Sequence, residues 1–135
     1  ISEVFVNGNR VSEYRSDGLI ISTPTGSTAY SLSSGGPIVA PDVDSMVITP
    51  ISAHSLTSRP LVVSDKSTIE IRFSNYNQNI IFITDGQLHE TLNPEHTVSI
   101  TKSNFEIGLI DFKDSDYFQT LRTKMGWGTR GDGNR

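Results

Sequence analysis

The chain has 135 residues, 35% of them hydrophobic and 19% charged, with no cysteine and a formal charge of −4 at pH 7. That length suits about one domain able to bury roughly two thirds of its unfolded surface, and the lack of cysteine removes disulfides and thiolate metal sites and points to the cytoplasm. The acidic balance argues against nucleic acid, and with no apolar run near the ~20 residues that cross a bilayer and no signal peptide at Ile1-Ser2-Glu3-Val4, no membrane partner is expected either.

Residues Glu3 to Tyr14 read as a hairpin, with Val4 and Val6 alternating with other side chains, Asn7-Gly8 as the turn and Val11 resuming the pattern. Leu19-Ile20-Ile21 is a short apolar strand. The stretch from Thr23 to Pro37 breaks the β pattern with glycines, prolines and hydroxyls but keeps a helix-compatible centre from Ser27 to Ser34, so it reads as a loop feeding a short helix. Strands then return at short intervals: Met46 to Ile51, Leu61 to Val63, Thr68 to Phe73, Asn79 to Thr84, Thr97 to Thr101 and Phe105 to Ile110. Such spacing predicts a mainly β, two-sheet sandwich-like domain. Alternation places Ile69, Ile71 and Phe73 on one face of their strand and Phe105, Ile107 and Leu109 on one face of theirs, and all six are expected in the core. Phe118, Leu121 and Met125 have the spacing of a final amphipathic helix over Tyr117 to Met125, followed by a glycine-rich, frayed tail after Trp127. No repeat or linker divides the chain, so residues 1–135 are expected to be a single domain.

The chemistry concentrates between Arg15 and Pro37. Gly26 removes a side chain where a ligand or backbone must come close, and Ser27 or Thr25 is expected to cap the helix. Thr28, Tyr30, Ser31 and Ser33 would then offer hydroxyls and amides at a positive helix end, suited to phosphate, ribose or adenine edges. The same residues also suit a merely well-capped helix after a strand. His54, His89 and His96 sit in turn-like surroundings and read as exposed or hydrogen-bonded histidines rather than catalytic ones.

Arg15-Ser16-Asp17-Gly18, the apolar strand, and Thr23-Pro24-Thr25-Gly26-Ser27-Thr28-Ala29-Tyr30 in this order closely resemble the signature of NAD kinases. The resemblance continues through Ile48-Thr49-Pro50-Ile51, His54-Ser55-Leu56, Arg59-Pro60-Leu61-Val62-Val63, Asp85-Gly86-Gln87 and the closing Thr120-Leu121-Arg122-Thr123-Lys124 with Gly126-Trp127, and so covers nearly the whole chain. It implies that Asp17 supplies a carboxylate to bound NAD, in oligomeric members from a neighbouring subunit. It implies further that Thr28, Ala29, Tyr30, Ser31, Leu32 and Ser33 line the dinucleotide, that Arg15 is a basic or polar position before the carboxylate, and that Gln87 is a late polar contact. Asp17 and Gln87 also fit ordinary Asp-Gly and hairpin turns.

The reaction implied is transfer of the terminal phosphoryl group of ATP, or of polyphosphate, to the 2'-hydroxyl of the adenosine ribose of NAD, giving NADP, with Mg²⁺ on the nucleotide phosphates. The family's Gly-Gly-Asp-Gly-Thr loop and its Asn-Glu or Asn-Asp pair do not occur in this sequence, and Glu3 reads as a strand residue instead. The resemblance therefore implies a carboxy-terminal, NAD-binding domain without the amino-terminal α/β domain, holding no catalytic base and no metal site of its own, and inactive alone. A homodimer or homotetramer is expected. Two other classes remain: a non-catalytic oligomerisation module of the same enzyme, and a lipid kinase relative, for which an apolar cleft or membrane-facing patch would be needed.

Overall fold

Asn7 and Gly8 both take positive φ, 51° and 79°, in the computed structural model, which describes residues 1–55, 57–74, 79–112 and 116–128. This two-residue turn joins β1 (Ser2–Val6) to β2 (Asn9–Tyr14) as an antiparallel hairpin. The Asn7 side chain accepts the Thr68 amide at 2.9 Å and the Asn7 amide donates to the Thr68 carbonyl at 2.9 Å, which guides β6 (Ile69–Phe73) into the free side of β1. With β9 (Val98–Ile100) this gives a four-stranded sheet in the order β2-β1-β6-β9. A second sheet, β3-β4-β5, is built from β3 (Gly18–Ser22), β4 (Ser45–Ile51) and β5 (Leu61–Ser64). β7 (Ile80–Thr84) and β8 (Leu88–Leu92) form a two-stranded sheet of their own.

The strand period of two sorts the side chains. Val4, Tyr14, Ile69 and Ile71 from the first sheet meet Met46 and Ile48 from the second in one buried core, which makes these two sheets a sandwich. Each such side chain contributes about 1.5–3 kcal/mol by leaving water. The opposite face of the first sheet is charged: Arg10 bonds Glu3 at 3.0 Å and Glu13 at 3.4 Å, Arg72 bonds Glu70 at 3.1 Å, and the Arg72 guanidinium lies 4.2 Å over the Phe5 ring. β4 differs from every other strand because it is covered on both sides, with Val47 and Thr49 as fully buried as Ile48.

The chain divides into two compact units, Ile1–Ser103 and Asn104–Arg135. In the second, α2 (Tyr117–Met125) has the expected bounds. The Asp116 carboxylate accepts the Phe118 amide at 2.9 Å as its cap, Gly126 closes it in the left-handed region at φ 66°, and the Trp127 amide returns to the Arg122 carbonyl at 3.0 Å. The tail expected to fray lies, from residue 129 on, outside the described residues, as does Leu56.

Three expectations change. Residues 104–112 form neither strand nor helix, and Phe105, Ile107 and Leu109 are 77%, 82% and 85% exposed rather than core. Their alternation is that of a strand, but a strand exists only through the neighbour it bonds to. Conversely β8, with its Leu-His-Glu-Thr-Leu sequence, was not expected; the Asp85-Gly86 turn folds it back onto β7 despite its weak β propensity. Phe73, expected in the core, is only half-buried at the margin of the cluster.

Candidate functional site

Asp17 stands at the beginning of β3. Its amide bonds the Ile51 carbonyl at 3.0 Å and the His54 amide bonds the Arg15 carbonyl at 2.9 Å, so the β3-β4 ladder continues past the strand ends and carries Arg15, Asp17 and His54 together. The Ser16 hydroxyl donates to the Gly18 carbonyl at 2.9 Å and tightens this corner. His54 Nε2 lies 3.8 Å from Asp17 Oδ1, with both side chains about 70% exposed, so the pair adds little stability and the carboxylate remains open to a ligand. The sequence separates these two residues; only the pairing of β3 with β4 brings them together. Arg15 is also exposed and bonds Glu13 at 3.3 Å, beside a polar cleft of about 280 Å³ lined by Ser12, Glu13, Arg15, Ser55, Thr57 and Ser58.

At the other end of β3 the chain makes a 3₁₀ turn (Thr25–Thr28) and then the single-turn α1 (Tyr30–Ser33). Neither Thr25 nor Ser27 caps a helix, contrary to expectation. Ser27 is fully buried inside the 3₁₀ turn, where its hydroxyl donates to the Pro24 carbonyl at 2.6 Å and accepts the Val39 amide at 3.0 Å. A helix of one turn also sums few peptide dipoles, so the positive end anticipated for phosphate is weak here.

What holds α1 to the sheet is a bond between two buried hydroxyls, Ser31 Oγ and Thr49 Oγ1 at 2.8 Å. Gly36 closes over this pair: its amide donates to the Ser31 carbonyl at 2.8 Å, and a Cβ at Gly36 would stand 2.8 Å from both that carbonyl oxygen and Thr49 Oγ1. Ser31 and Ser27 thus serve the fold with their side chains. The groups left facing outward are Ala29, Ser33 and Tyr30, the last 61% exposed, while Thr28 and Leu32 are half-buried and the Thr28 hydroxyl donates to the Thr25 carbonyl at 3.2 Å. The arrangement is an aromatic ring and exposed main chain on a rigid shelf, suited to a flat ring and a sugar edge.

The predicted residues therefore fall into three places. Thr28 to Ser33 share the shelf. Arg15 and Asp17 lie just ahead of β3, whereas Ser31 bonds Thr49, whose register partner is Ile20, three residues on from Asp17 and so about 10 Å along a strand rising ~3.3 Å per residue. Gln87 lies at the tip of the β7-β8 hairpin, where Asp85 and Gly86 have φ 49° and 70° and the Gln87 amide bonds the Thr84 carbonyl at 3.0 Å; that sheet pairs with neither of the others. Among the described residues no group of three or more His, Asp or Glu is placed to hold a metal ion.

Comparison with known proteins gives the family. Residues 2–112 match the family model of the ATP-NAD kinase C-terminal domain. The chain is similar to the NAD kinase of Yersinia pestis, at 47% identity over 125 residues, covering 93% of this chain and 43% of that protein. A second relative, the NAD kinase of Syntrophotalea carbinolica, is 45% identical over 95% of this chain and 45% of its own length. The chain thus spans less than half the length of these relatives. Among solved structures it resembles yeast NADH kinase complexed with NADH, with a TM-score of 0.74 and 27% identity over 99% of this chain and 42% of that one. It also resembles an NAD kinase from Archaeoglobus fulgidus in complex with ATP, with a TM-score of 0.67 and 32% identity over 77% and 39% of the two chains.

Proposed function

Since the chain belongs to the ATP-NAD kinase C-terminal domain family, we propose that it is the dinucleotide-binding part of an NAD kinase, which phosphorylates the 2'-hydroxyl of the adenosine ribose of NAD with ATP or polyphosphate as donor. The observation that carries this reading is the shelf from Thr28 to Ser33, fixed from below by the Ser31 and Thr49 hydroxyls and presenting Tyr30 and main-chain groups outward. A rigid shelf limits the entropy lost on binding and keeps the acceptor ribose in one orientation for phosphoryl transfer. The yeast relative was solved with NADH and the archaeal one with ATP, in keeping with a nucleotide on either side of the transferred group.

The chain's contribution is to bind and orient. Its sequence has no Gly-Gly-Asp-Gly-Thr loop to supply a base, and among the described residues there is no ligand set for the divalent cation, so a Mg²⁺ on the donor phosphates would depend on groups outside this chain. Alone, in solution and with ATP, it is expected to bind NAD without converting it. The enzyme's site is the cytoplasm in this reading, for which the absence of cysteine is the supporting feature.

The resemblance also supports a homodimer or homotetramer in which one copy's exposed Asp17 reaches the dinucleotide on another's shelf. The exposed Ile81, Phe82 and Ile83 of β7, 62%, 36% and 52% accessible, offer apolar surface for such assembly. One experiment separates these ideas. Titration of NAD into the chain by calorimetry should give weaker binding for Asp17→Ala and for Tyr30→Ala, each variant being equally well folded. Mixing the two variants should restore about a quarter of the sites if each site is shared between copies, because only mixed dimers hold one intact site. No recovery means each site lies within one chain, and unchanged binding in both single variants rejects the dinucleotide site itself.

A further inference from the structure

Among the described residues three other than glycine hold a positive φ: Asn7 at 51°, Asp85 at 49° and Ser52 at 47°. The first two belong to Asn-Gly and Asp-Gly hairpin turns, where the left-handed region is expected. Ser52 has no such reason. Its side chain is exposed, serine is not among the residues that favour this region, and it follows β4 at the start of the loop 52–60 rather than in a two-residue turn.

The hydrogen bonds on either side of Ser52 show what the conformation does. The Asp17 amide bonds the Ile51 carbonyl at 3.0 Å, and the His54 amide bonds the Arg15 carbonyl at 2.9 Å. A regular antiparallel ladder would follow the first bond by bringing the amide of Ala53 to Arg15. Instead Ser52 and Ala53 together face Ser16 alone. This is a β-bulge, with its first residue in the left-handed region that glycine usually fills. The extra residue decides a face. Side chains of an extended chain alternate, so one residue fewer would carry His54 a place beyond Arg15 and turn its imidazole to the other side. With the bulge His54 stands opposite Arg15 and diagonally across from Asp17, its Nε2 3.8 Å from Oδ1.

That contact does not offset the strain, because an ion pair with both side chains about 70% exposed adds little to stability. A strained backbone persists where its surroundings over-determine it, and such positions gather at functional sites. We propose that Ser52 is a positioning residue of the dinucleotide site: its left-handed backbone sets His54 on the face of Asp17, where the imidazole limits the directions open to the carboxylate that meets the dinucleotide. This rests on the reading of Asp17 as a dinucleotide ligand, and the test keeps the two apart.

Ser52→Gly, Ser52→Val and a deletion of Ala53 are made in the whole chain. Glycine accepts the left-handed region freely and a β-branched side chain resists it. NMR of the His54 ring reports the contact: Asp17→Asn should shift its resonances in the parent and in Ser52→Gly, and leave them in place in Ser52→Val and in the deletion. By calorimetry Ser52→Gly should keep the parent's NAD affinity to within about twofold, and Ser52→Val should lose about 3- to 10-fold, the worth of one polar contact. In an Asp17→Ala background Ser52→Val should cost nothing further, because it acts through that carboxylate. The urea midpoint of Ser52→Gly should not fall below the parent's, the reverse of what glycine does at an unstrained position. A His54 ring that still senses Asp17 after deletion of Ala53, a valine variant that keeps its affinity, glycine and valine variants that lose it alike, or losses that add in full overturns the proposal. A parent chain that binds no NAD overturns the dinucleotide reading instead, and the ring response alone then decides whether Ser52 places His54.

Discussion

Replacing Thr49 by valine removes one hydroxyl and keeps the side-chain shape. Thr49 and Ser31 are 0% and 1% exposed, so no solvent is at hand to take the place of the 2.8 Å bond between them. The abandoned Ser31 hydroxyl then carries its desolvation cost, about 1–3 kcal/mol. At about 3–5 °C per kcal/mol for a domain of this size, the melting temperature should fall by roughly 3–15 °C. Ser31→Ala alone should cost a similar amount by stranding Thr49. The double variant Ser31→Ala/Thr49→Val leaves neither hydroxyl stranded and should lie within about 1 kcal/mol of the parent, since removing both partners of a buried bond is close to neutral. Urea unfolding of the four proteins, fitted with a common slope, measures the coupling. A double variant whose loss equals the sum of the single losses to within about 0.5 kcal/mol would refute the claim that these two hydroxyls satisfy each other.

Gly36→Ala places a methyl 2.8 Å from the Ser31 carbonyl and Thr49 Oγ1, so a stability loss of about 1–3 kcal/mol and a weakened affinity for NAD should appear together in denaturation and calorimetry. Ile48→Ala opens a cavity at a fully buried core position and should cost about 2–5 kcal/mol in urea unfolding, against about 0.5 kcal/mol or less for an exposed site such as Ser33→Ala. Burial pushes the Tyr14 phenol above its ordinary 10.0. The unfolded chain then ionises first as pH rises, so the stability from Tyr14 is full below pH 10.0 and is lost as pH climbs through the higher folded value. Tyr14→Phe should flatten that alkaline decline in a melting series.

Much of the fold was legible because most strands are written in alternation and turn chemistry. Asn7-Gly8 announces its hairpin, and Ile69-Glu70-Ile71-Arg72 announces its own inside and outside. β8 escaped because Leu88 to Leu92 owes its conformation to pairing with β7 rather than to its own residues. The segment 104–112 misled for the opposite reason: its pattern is that of a strand, yet it forms no strand. In the candidate site, Asp17 and Thr28 to Ser33 are named by the motif alone. Neither the bond of Ser31 to Thr49 nor the meeting of His54 with Asp17 was legible, since both depend on the course and register of β4. Ser31 reads as a ligand-facing hydroxyl and Ser27 as a helix cap in sequence, but depth decides a hydroxyl's partner, and both are buried.

β4 is covered on both sides, with Ile48 toward the sandwich core and Thr49 toward the shelf. Slip the strand by one residue and an isoleucine would lie under Ser31 while a hydroxyl entered the apolar core; both faces would fail at once. A strand with one solvated face can misalign and still hide most of its apolar surface, leaving a trapped, half-right structure. Here a single polar side chain acts as a key that fits one alignment, so the fold proofreads its own pairing at the strand on which the shelf rests.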